Sequence, residues 1–441
     1  MPGGRVVAVW LLIGGSMLTL SSCAPMVSGP RTGDNGNVNA PANRNANTSI
    51  NANRNVNGTG PATRDKFALW TDGTQLRGAN IFQRRVYPDL DGPDFLGPGP
   101  LGPPYTQADF DQLAALGANY VNISHTGIFS QAPPYQVDPD VQANLDRLLD
   151  MIAAANMFAV ISFRSGPERG EFALIQIPGL PPELTDQSVW QNQAAQDGWA
   201  AMWRYTAERY RGNPIVVGYD LMVEPNAPAL LNIFNPSEFY LAYAGAINDW
   251  NRFYPGVLAA IRAVDEQTPV LVAANGFSAV NWLPSLQPTA DARTVYAVHP
   301  YEPGNYTTQD PQNLTLRYPD MFDADGDGTI DQVDRAWLQN ELAPIETFAR
   351  ATGMPVAANE FGAQRWEPGA ANYVSDEMDI FEQLGINYAV WLWMAAHPPA
   401  AEDDAFNLRH GPDPNNHAEV TSELLDGINS HWQRNTARPS P

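Results

Sequence analysis

The feature that most constrains the fold of this chain is a regular alternation of short apolar runs with longer amphipathic stretches. Eight of the runs have the length and the β-branched and aromatic content of buried strands. Near-continuous apolar strands that alternate with amphipathic helices are typical of a parallel sheet with both faces covered. Eight repeats favour a closed barrel, so we predict an α/β fold, a (β/α)8 TIM barrel with a long insertion after the sixth strand.

The predicted elements follow one another from residue 67 onward. The predicted strands are residues 75–81, 118–124, 157–163, 215–221, 269–275, 294–299, 355–360 and 387–393. The predicted helices are residues 106–116, 141–155, 199–211, 255–265, 335–352 and 373–384. An open dinucleotide-binding sheet would need a G-x-G-x-x-G turn after its first strand, and no such turn follows residues 75–81.

Two of these apolar runs lead to a glutamate. The stretch IVVGYDLMVEPN leads to Glu224 followed by Pro225, and PVAANEFG leads to Glu360. Proline cannot continue a strand ladder, so the first run ends there. Because the carboxyl ends of barrel strands meet on one face, we expect Glu224 and Glu360 to form an acid/base and nucleophile pair.

The composition limits the partners that the protein can have. A 441-residue chain with 44% hydrophobic residues and 12 Trp can bury a large core. The net charge of −23 argues against nucleic acid and against anionic membrane surfaces, because both require clustered Lys and Arg. We expect a monomeric catalytic domain over residues 64–435.

The N-terminal residues indicate export. Arg5 precedes an apolar stretch over residues 6–20 that is too short for a membrane span. The tetrad Leu-Ser-Ser-Cys at 20–23 resembles a bacterial lipobox, so residues 1–23 are predicted to be a lipoprotein signal peptide with Cys23 as the lipidated residue. A plain secretory signal is the alternative. The Asn-rich residues 24–63 are predicted to be a disordered tether between the cell envelope and the domain.

Residues 323–334, DADGDGTIDQVD, have the spacing of a calcium loop. Oxygen ligands at alternate positions with a glycine at position 6 suit a hard, seven-coordinate cation. The predicted ligands are Asp323, Asp325, Asp327, Thr329, Asp331 and Asp334. The terminal aspartate resembles the loops of dockerin modules more than an EF-hand, and the alternative is an acidic turn before a helix.

Five strand-end motifs, LRGANI, MVEPN, AVHPY, ANEFG and VWLWM, occur in the order found in glycoside hydrolase family 5. The chain resembles this cellulase and β-mannanase family of retaining (β/α)8 enzymes over roughly residues 67–399. The resemblance implies a hydrolase that cleaves β-linked glucan or mannan by double displacement and needs no cofactor for catalysis.

The resemblance also assigns roles to individual residues. Glu224 would be the general acid/base and Glu360 the nucleophile. Tyr301 would hydrogen-bond the nucleophile, and His299 would shape the adjacent subsite. Trp393 would stack under a sugar ring, with Trp391 as the second candidate. We also expect aromatic residues to line the rest of the cleft, among them Trp282, Tyr306 and Trp366.

The chain departs from the family pattern at two positions. Val223 stands where the family has an asparagine that binds the sugar 2-hydroxyl, so Asn226 is a candidate to supply that contact. The second strand lacks the family's arginine, and Arg164 after the third strand could replace it; the alternative is a rim ion pair with Glu168 or Glu171.

Three other functions remain open. Two lie within the enzyme class, an exo-acting β-glycosidase and a transglycosylase. The third is a surface lipoprotein that binds sugar without turnover, which the departures at Val223 and the second strand would suit.

Overall fold

The computed structural model describes residues 65–91, 96–97, 99–174, 180–395 and 404–440. The predicted signal peptide, the lipidation site Cys23 and the predicted tether lie outside these ranges. Among the helices within them, none has both the length and the apolar character required to cross a bilayer.

Eight parallel strands close into a barrel, as predicted. They are β1 (Arg77–Arg85), β2 (Tyr120–His125), β3 (Phe158–Phe163), β4 (Val216–Asp220), β5 (Val270–Ala273), β6 (Thr294–Ala297), β7 (Val356–Phe361) and β8 (Asn387–Val390). Each strand pairs with the next in the chain. The pairing of β8 with β1, which sets Arg77 opposite Tyr388, closes the barrel. The apolar runs are buried because helices cover their outer faces.

Helices follow most of the strands, as the amphipathic stretches predict. The longer ones are Gln107–Ala115, Pro139–Ala154, Gln193–Tyr210, Pro236–Tyr243, Trp250–Arg262, Ala343–Thr352, Ala370–Gln383 and Glu423–Trp432. The shorter ones are Ala68–Thr71, Pro88–Asp91, Ala227–Leu230, Gly304–Thr307 and Arg335–Glu341, with 3-10 turns at Pro182–Leu184, Ser188–Trp190 and Val280–Ser285. The predicted helix 335–352 is interrupted at Leu342, because Pro344 fits only in the first turn of a new helix.

The predicted insertion after the sixth strand lies between β6 and β7. It contains a two-stranded antiparallel ribbon formed by Asp320–Phe322 and Asp331–Val333. A second short pairing joins Leu101–Gly102 to the end of β1. The second strand of the ribbon lies within the calcium-type loop 323–334, which leads into the helix Arg335–Glu341.

The amino-terminal end of the barrel is closed by side chains from both ends of the domain. The Trp70 indole donates to the Val217 carbonyl at 3.0 Å. Ala437 is buried beside it, and its carbonyl accepts from the Asn119 amide at 3.0 Å. Arg438 donates to the carbonyl of Ala118 at 2.6 Å. The chain therefore remains packed on the barrel beyond residue 435, and the opposite, carboxyl-terminal end is left for the site.

Candidate active site

The two strand-end glutamates meet at the carboxyl-terminal end of the barrel, on either side of a histidine. One carboxylate oxygen of Glu224, one of Glu360 and a ring nitrogen of His299 lie within 4.8 Å of one another. His299 Nδ1 lies 3.1 Å from Glu224 Oε1 and 3.9 Å from Glu360 Oε1. Both His299 and Glu360 are buried. The predicted pairing of the two carboxyl groups is present.

Glu224 lies just beyond β4 with its backbone in the left-handed region, at φ 52°. A non-glycine residue in that conformation costs about 1–3 kcal/mol and persists only where its surroundings hold it. Here Val223 N donates to the Phe163 carbonyl at 2.9 Å, and Phe277 N donates to the Pro225 carbonyl at 3.0 Å. The turn that aims the Glu224 side chain is fixed on both sides.

Tyr301 contacts the other glutamate. Its hydroxyl donates to Glu360 Oε1 at 3.0 Å, which is the contact expected of this residue. Burial raises the pKa of Glu360 to about 7, and the Glu224 charge acts in the same direction. His299, Arg164 and the Tyr301 hydroxyl oppose that rise. Three groups therefore favour the ionised form of a carboxyl that burial would otherwise protonate.

The acidic groups around His299 raise the pKa of its imidazole. Burial lowers the pKa of its imidazole, but the carboxylates of Glu360, Glu224 and Asp220 outweigh burial and raise it to about 9. The imidazolium can therefore donate from Nδ1 to Glu224. His299 acts as a positive charge placed between two acidic groups.

Arg164 follows β3 and lies over the same site. Its Nε donates to Ser124 Oγ at 3.0 Å, and its guanidinium carbon lies 4.3 Å from the centroid of the Phe82 ring. Within the described residues it forms no ion pair with Glu168 or Glu171. The alternative prediction, an ion pair between Arg164 and one of these two glutamates, is therefore wrong. The charge of Arg164 acts on Glu360 instead.

Residues 73–397 match the sequence profile of the family described as Cellulase (glycosyl hydrolase family 5). That match covers well over half of the chain. The chain belongs to glycosyl hydrolase family 5.

The chain is also similar in sequence to two named proteins. It is 19% identical over 314 residues to Endoglucanase C of Acetivibrio thermocellus, which covers 65% of this chain and 83% of that one. It is 21% identical over 311 residues to a Beta-xylosidase of Phanerodontia chrysosporium, covering 66% of this chain. The aligned part spans only 56% of that β-xylosidase.

Solved structures support the barrel assignment. The endoglucanase Cel5A of Thermotoga maritima superimposes with a TM-score of 0.58 at 16% identity, covering 82% of this chain and 99% of that one. A hyperthermophilic endo-beta-1,4-glucanase in complex with substrate gives 0.59 at 16% identity, covering 83% and 99%. At these identities the likeness shows the fold.

The stacking role predicted for Trp393 in this family 5 barrel is wrong. Its side chain is fully buried, its indole donates to the Asp109 carbonyl at 3.1 Å, and Arg409 covers one face at 5.2 Å. No face is left for a sugar. Trp391, the second candidate, packs in an apolar cluster with Phe82 and Tyr301, and Tyr301 contacts Glu360.

Asn226 is also misassigned as a substrate ligand. It is 1% exposed, and its amide nitrogen donates to the Ala173 carbonyl at 3.0 Å and to Gln187 Oε1 at 2.9 Å. Its oxygen accepts from Arg169 at 3.3 Å. Because both ends of the amide are used within the protein, Asn226 fixes the turn after Glu224 and cannot bind a hydroxyl of the sugar.

Arg169 is the residue that the sequence analysis missed. Its guanidinium is fully buried and donates to the carbonyls of Arg164, Val223 and Glu224 at 2.7, 2.9 and 2.9 Å. Burial lowers its pKa to about 9, and the Glu224 carboxylate partly offsets that effect. Arg169 ties the loop after β3 to the turn that carries Glu224. The only feature of the sequence that could have indicated this role is the position of Arg169, five residues after Arg164.

Two of the three other aromatic residues expected in the cleft lie in the core. Tyr306 is fully buried, and Trp282 packs against Phe239. Those two assignments are wrong. Trp366, on the loop after β7, remains a candidate, although its indole donates to the Gln309 carbonyl at 3.3 Å.

The calcium-type loop brings three of its predicted ligands together. Carboxylate oxygens of Asp323, Asp325 and Asp327 lie within 4.8 Å of one another, a donor set that fits a hard cation. Asp331 accepts from Ala324 N at 3.1 Å. Asp334 caps the next helix by accepting from Ala336 N and Trp337 N, so one of its oxygens is already used.

Proposed function

We propose that this family 5 protein hydrolyses β-linked glucan or mannan with retention of anomeric configuration. Glu224 donates a proton to the leaving oxygen, and Glu360 attacks the anomeric carbon. The observation that carries the proposal is the separation of the two carboxyl groups, whose nearest oxygens lie within 4.8 Å. Retaining glycosidases hold these groups about 5–5.5 Å apart, whereas inverting enzymes need about 6.5–9.5 Å to admit a water molecule.

The surroundings of the pair suit a two-step displacement. In the first step Glu360 forms a bond to the anomeric carbon while the proton of Glu224 passes to the departing oxygen. In the second step Glu224 takes a proton from water, whose oxygen displaces Glu360. Tyr301, Arg164 and His299 favour Glu360 as an anion before attack. Neither step calls for a cofactor.

The relatives support the choice of substrate. Two are endoglucanases by name, and structures of Thermotoga maritima Cel5A contain cellobiose and mannotriose. Both sugars are β-linked hexose oligomers. The β-xylosidase relative keeps an exo-acting β-glycosidase open as the alternative. A transglycosylase would share the first step and differ only in the acceptor.

The test is release of reducing ends from soluble β-1,4-glucan, mixed-linkage glucan, glucomannan and mannan by residues 61–441. Glu360→Gln and Glu224→Gln should each abolish release, because they remove the nucleophile and the proton donor. Glu346→Gln, on an exposed helix position, is the matched control and should leave release unchanged. Binding of one glycan without release by the parent would favour the sugar-binding lipoprotein.

We also propose that residues 323–334 bind Ca²⁺ with a structural role. Convergence of Asp323, Asp325 and Asp327 supports this proposal, together with the alternate spacing of the oxygen-bearing side chains. The loop lies in the insertion between β6 and β7 and supplies no group to the catalytic pair. Bound calcium would link the ribbon to the following helix.

We propose that the protein is anchored to the bacterial cell envelope by a lipid on Cys23. The alternative is secretion into the medium. The tetrad at 20–23 supports the first of these. Detergent partitioning of the full chain tests it: the parent should enter the detergent phase, and Cys23→Ala should stay in the aqueous phase. Partitioning of both into the aqueous phase would favour secretion.

A further inference from the structure

Three potential metal ligands converge in the segment that follows β8, in a cluster separate from the catalytic pair and from the calcium-type loop. A ring nitrogen of His410, one of His417 and a carboxylate oxygen of Asp404 lie within 4.8 Å of one another. His410 Nδ1 lies 2.5 Å from Asp404 Oδ1, and His417 Nδ1 lies 3.0 Å from Asp404 Oδ2. Two imidazoles and one carboxylate are a donor set that Zn²⁺ accepts in proteins, with one coordination position left open.

The spacing within this cluster is close to that of a zinc site. With bonds of about 2.0–2.2 Å, the ligand atoms around a tetrahedral Zn²⁺ lie roughly 3.3–3.6 Å apart. The contacts of 2.5 and 3.0 Å with Asp404 are somewhat shorter, so a small outward movement of each imidazole would admit the ion. A metal-free cluster of ion pairs would show the same contacts, and metal binding therefore has to be tested directly.

Arg365, on the loop after β7, supplies the outer support that a ligating carboxylate needs. Its Nη2 donates to Asp404 Oδ2 at 2.7 Å, and its Nε donates to the Asp404 carbonyl at 3.0 Å. Burial raises the pKa of Asp404, but hydrogen bonds from His410 and Arg365 outweigh burial and lower it. The carboxyl group is therefore an anion at neutral pH. Hydrogen bonds of this kind typically orient the carboxylates that bind metals.

The cluster opens to solvent on the side of His417. The side chains of Asp404 and His410 are 6% and 0% exposed, whereas that of His417 is 34% exposed. An ion can reach the three ligands past this imidazole. Water can complete the coordination of the ion, as it does in zinc sites with three protein ligands.

We propose that Asp404, His410 and His417 bind one Zn²⁺ ion, which fixes the segment after β8. This segment also touches the catalytic site. Phe406 comes two residues after Asp404, and its ring centroid lies 5.9 Å from that of Tyr301, the residue that donates to Glu360. The role of the ion is structural and does not depend on whether the protein hydrolyses glycan.

The test is isothermal titration calorimetry of ZnCl₂ into the full chain, after a chelator has removed bound metal and with excess Ca²⁺ to compete at the calcium-type loop. One equivalent of Zn²⁺ should bind, and it should raise the melting temperature. His417→Gln removes the most exposed ligand, so this variant should fold. It should weaken binding by more than the roughly 10- to 100-fold expected for loss of an outer partner.

His299→Gln is the matched control, because it alters the cluster of Glu224, His299 and Glu360 and leaves the proposed zinc ligands in place. Its affinity for Zn²⁺ should equal that of the parent. A parent that binds no Zn²⁺ overturns the proposal and leaves a metal-free cluster of ion pairs. Unchanged affinity in His417→Gln overturns it as well. Loss of binding in His299→Gln alone would place the ion at the catalytic pair.

A second measurement on the parent does not depend on whether His417→Gln folds. In protein labelled with ¹³C at the imidazole Cε1 position, one equivalent of Zn²⁺ should shift two of the six histidine NMR signals. Both shifting signals should still be present in His299→Gln. A shift confined to the signal that His299→Gln removes would contradict the proposed ligands.

Discussion

The Tyr301 hydroxyl donates to Glu360 Oε1 across 3.0 Å, from the segment after β6 to strand β7. β6 and β7 are paired neighbours in the barrel, so the segment that follows β6 lies beside the end of β7. The hydrogen bond places one fixed donor on the carboxyl group proposed as the nucleophile.

Tyr301→Phe should keep the fold and reduce kcat/KM by roughly 10- to 150-fold, the effect of losing a hydrogen bond of about 1.5–3 kcal/mol to a charged group. Because the hydroxyl lowers the pKa of Glu360, its loss should raise that pKa above about 7. The acidic limb of the kcat/KM profile should therefore move to higher pH. An unshifted acidic limb would show that Tyr301 does not act on Glu360.

Trp391 and Trp393 should respond differently to alanine substitution. Trp393→Ala removes a fully buried side chain and should lower the free energy of unfolding by about 3–5 kcal/mol. Trp391→Ala, beside Arg164 and Tyr301, should mainly raise KM for oligosaccharides. Urea denaturation and steady-state kinetics on both variants check this. Equal effects on KM would contradict the placement of Trp391 at the site.

Glu377 should make the protein less stable as pH rises. It is fully buried, and burial holds its pKa well above the ordinary value near 4.5. Between those two pKa values the folded state binds a proton that the unfolded state has released, so the free energy of unfolding falls by up to about 1.4 kcal/mol per pH unit. Urea denaturation between pH 5 and 8 should show a smaller fall for Glu377→Gln than for the parent. Equal slopes would contradict this assignment.

Calcium removal should lower the thermal midpoint without changing activity at moderate temperature. A cation at 100 times its dissociation constant adds about 2.7 kcal/mol of stability. EGTA should therefore lower the melting temperature by a few degrees, and Asp325→Asn should lower it even with calcium present. Thermal unfolding with and without Ca²⁺ checks this, with Asp310→Asn outside the loop as control. A melting temperature that does not change with calcium would favour the alternative, in which residues 323–334 are an acidic turn that binds no cation.

The barrel could be predicted from sequence because each strand is buried on both faces. The runs VVGYD and VAANEF contain few charges, so they are recognisable as buried strands without knowledge of which strands lie beside them. The glutamates were predictable for the same reason, since a strand end fixes the face on which a side chain lies. The break at Leu342 was missed because a helical pattern continues across it.

The residues around the pair were harder to assign, because they depend on loops. Trp391 and Trp393 both follow β8, beyond the last regular residue, Val390, so strand alternation no longer decides which one faces the site. Asn226 and Arg169 lie on separate loops that contact only in the folded chain. Sequence spacing carries no information on such a contact.

The measurement that tests the central claim most directly is ¹H NMR of the anomeric configuration of the first product from a β-linked oligosaccharide. With Glu224 and Glu360 as proton donor and nucleophile, the new reducing end should appear first as the β-anomer and then mutarotate. Initial appearance of the α-anomer would mean direct attack by water, and would contradict a covalent intermediate on Glu360.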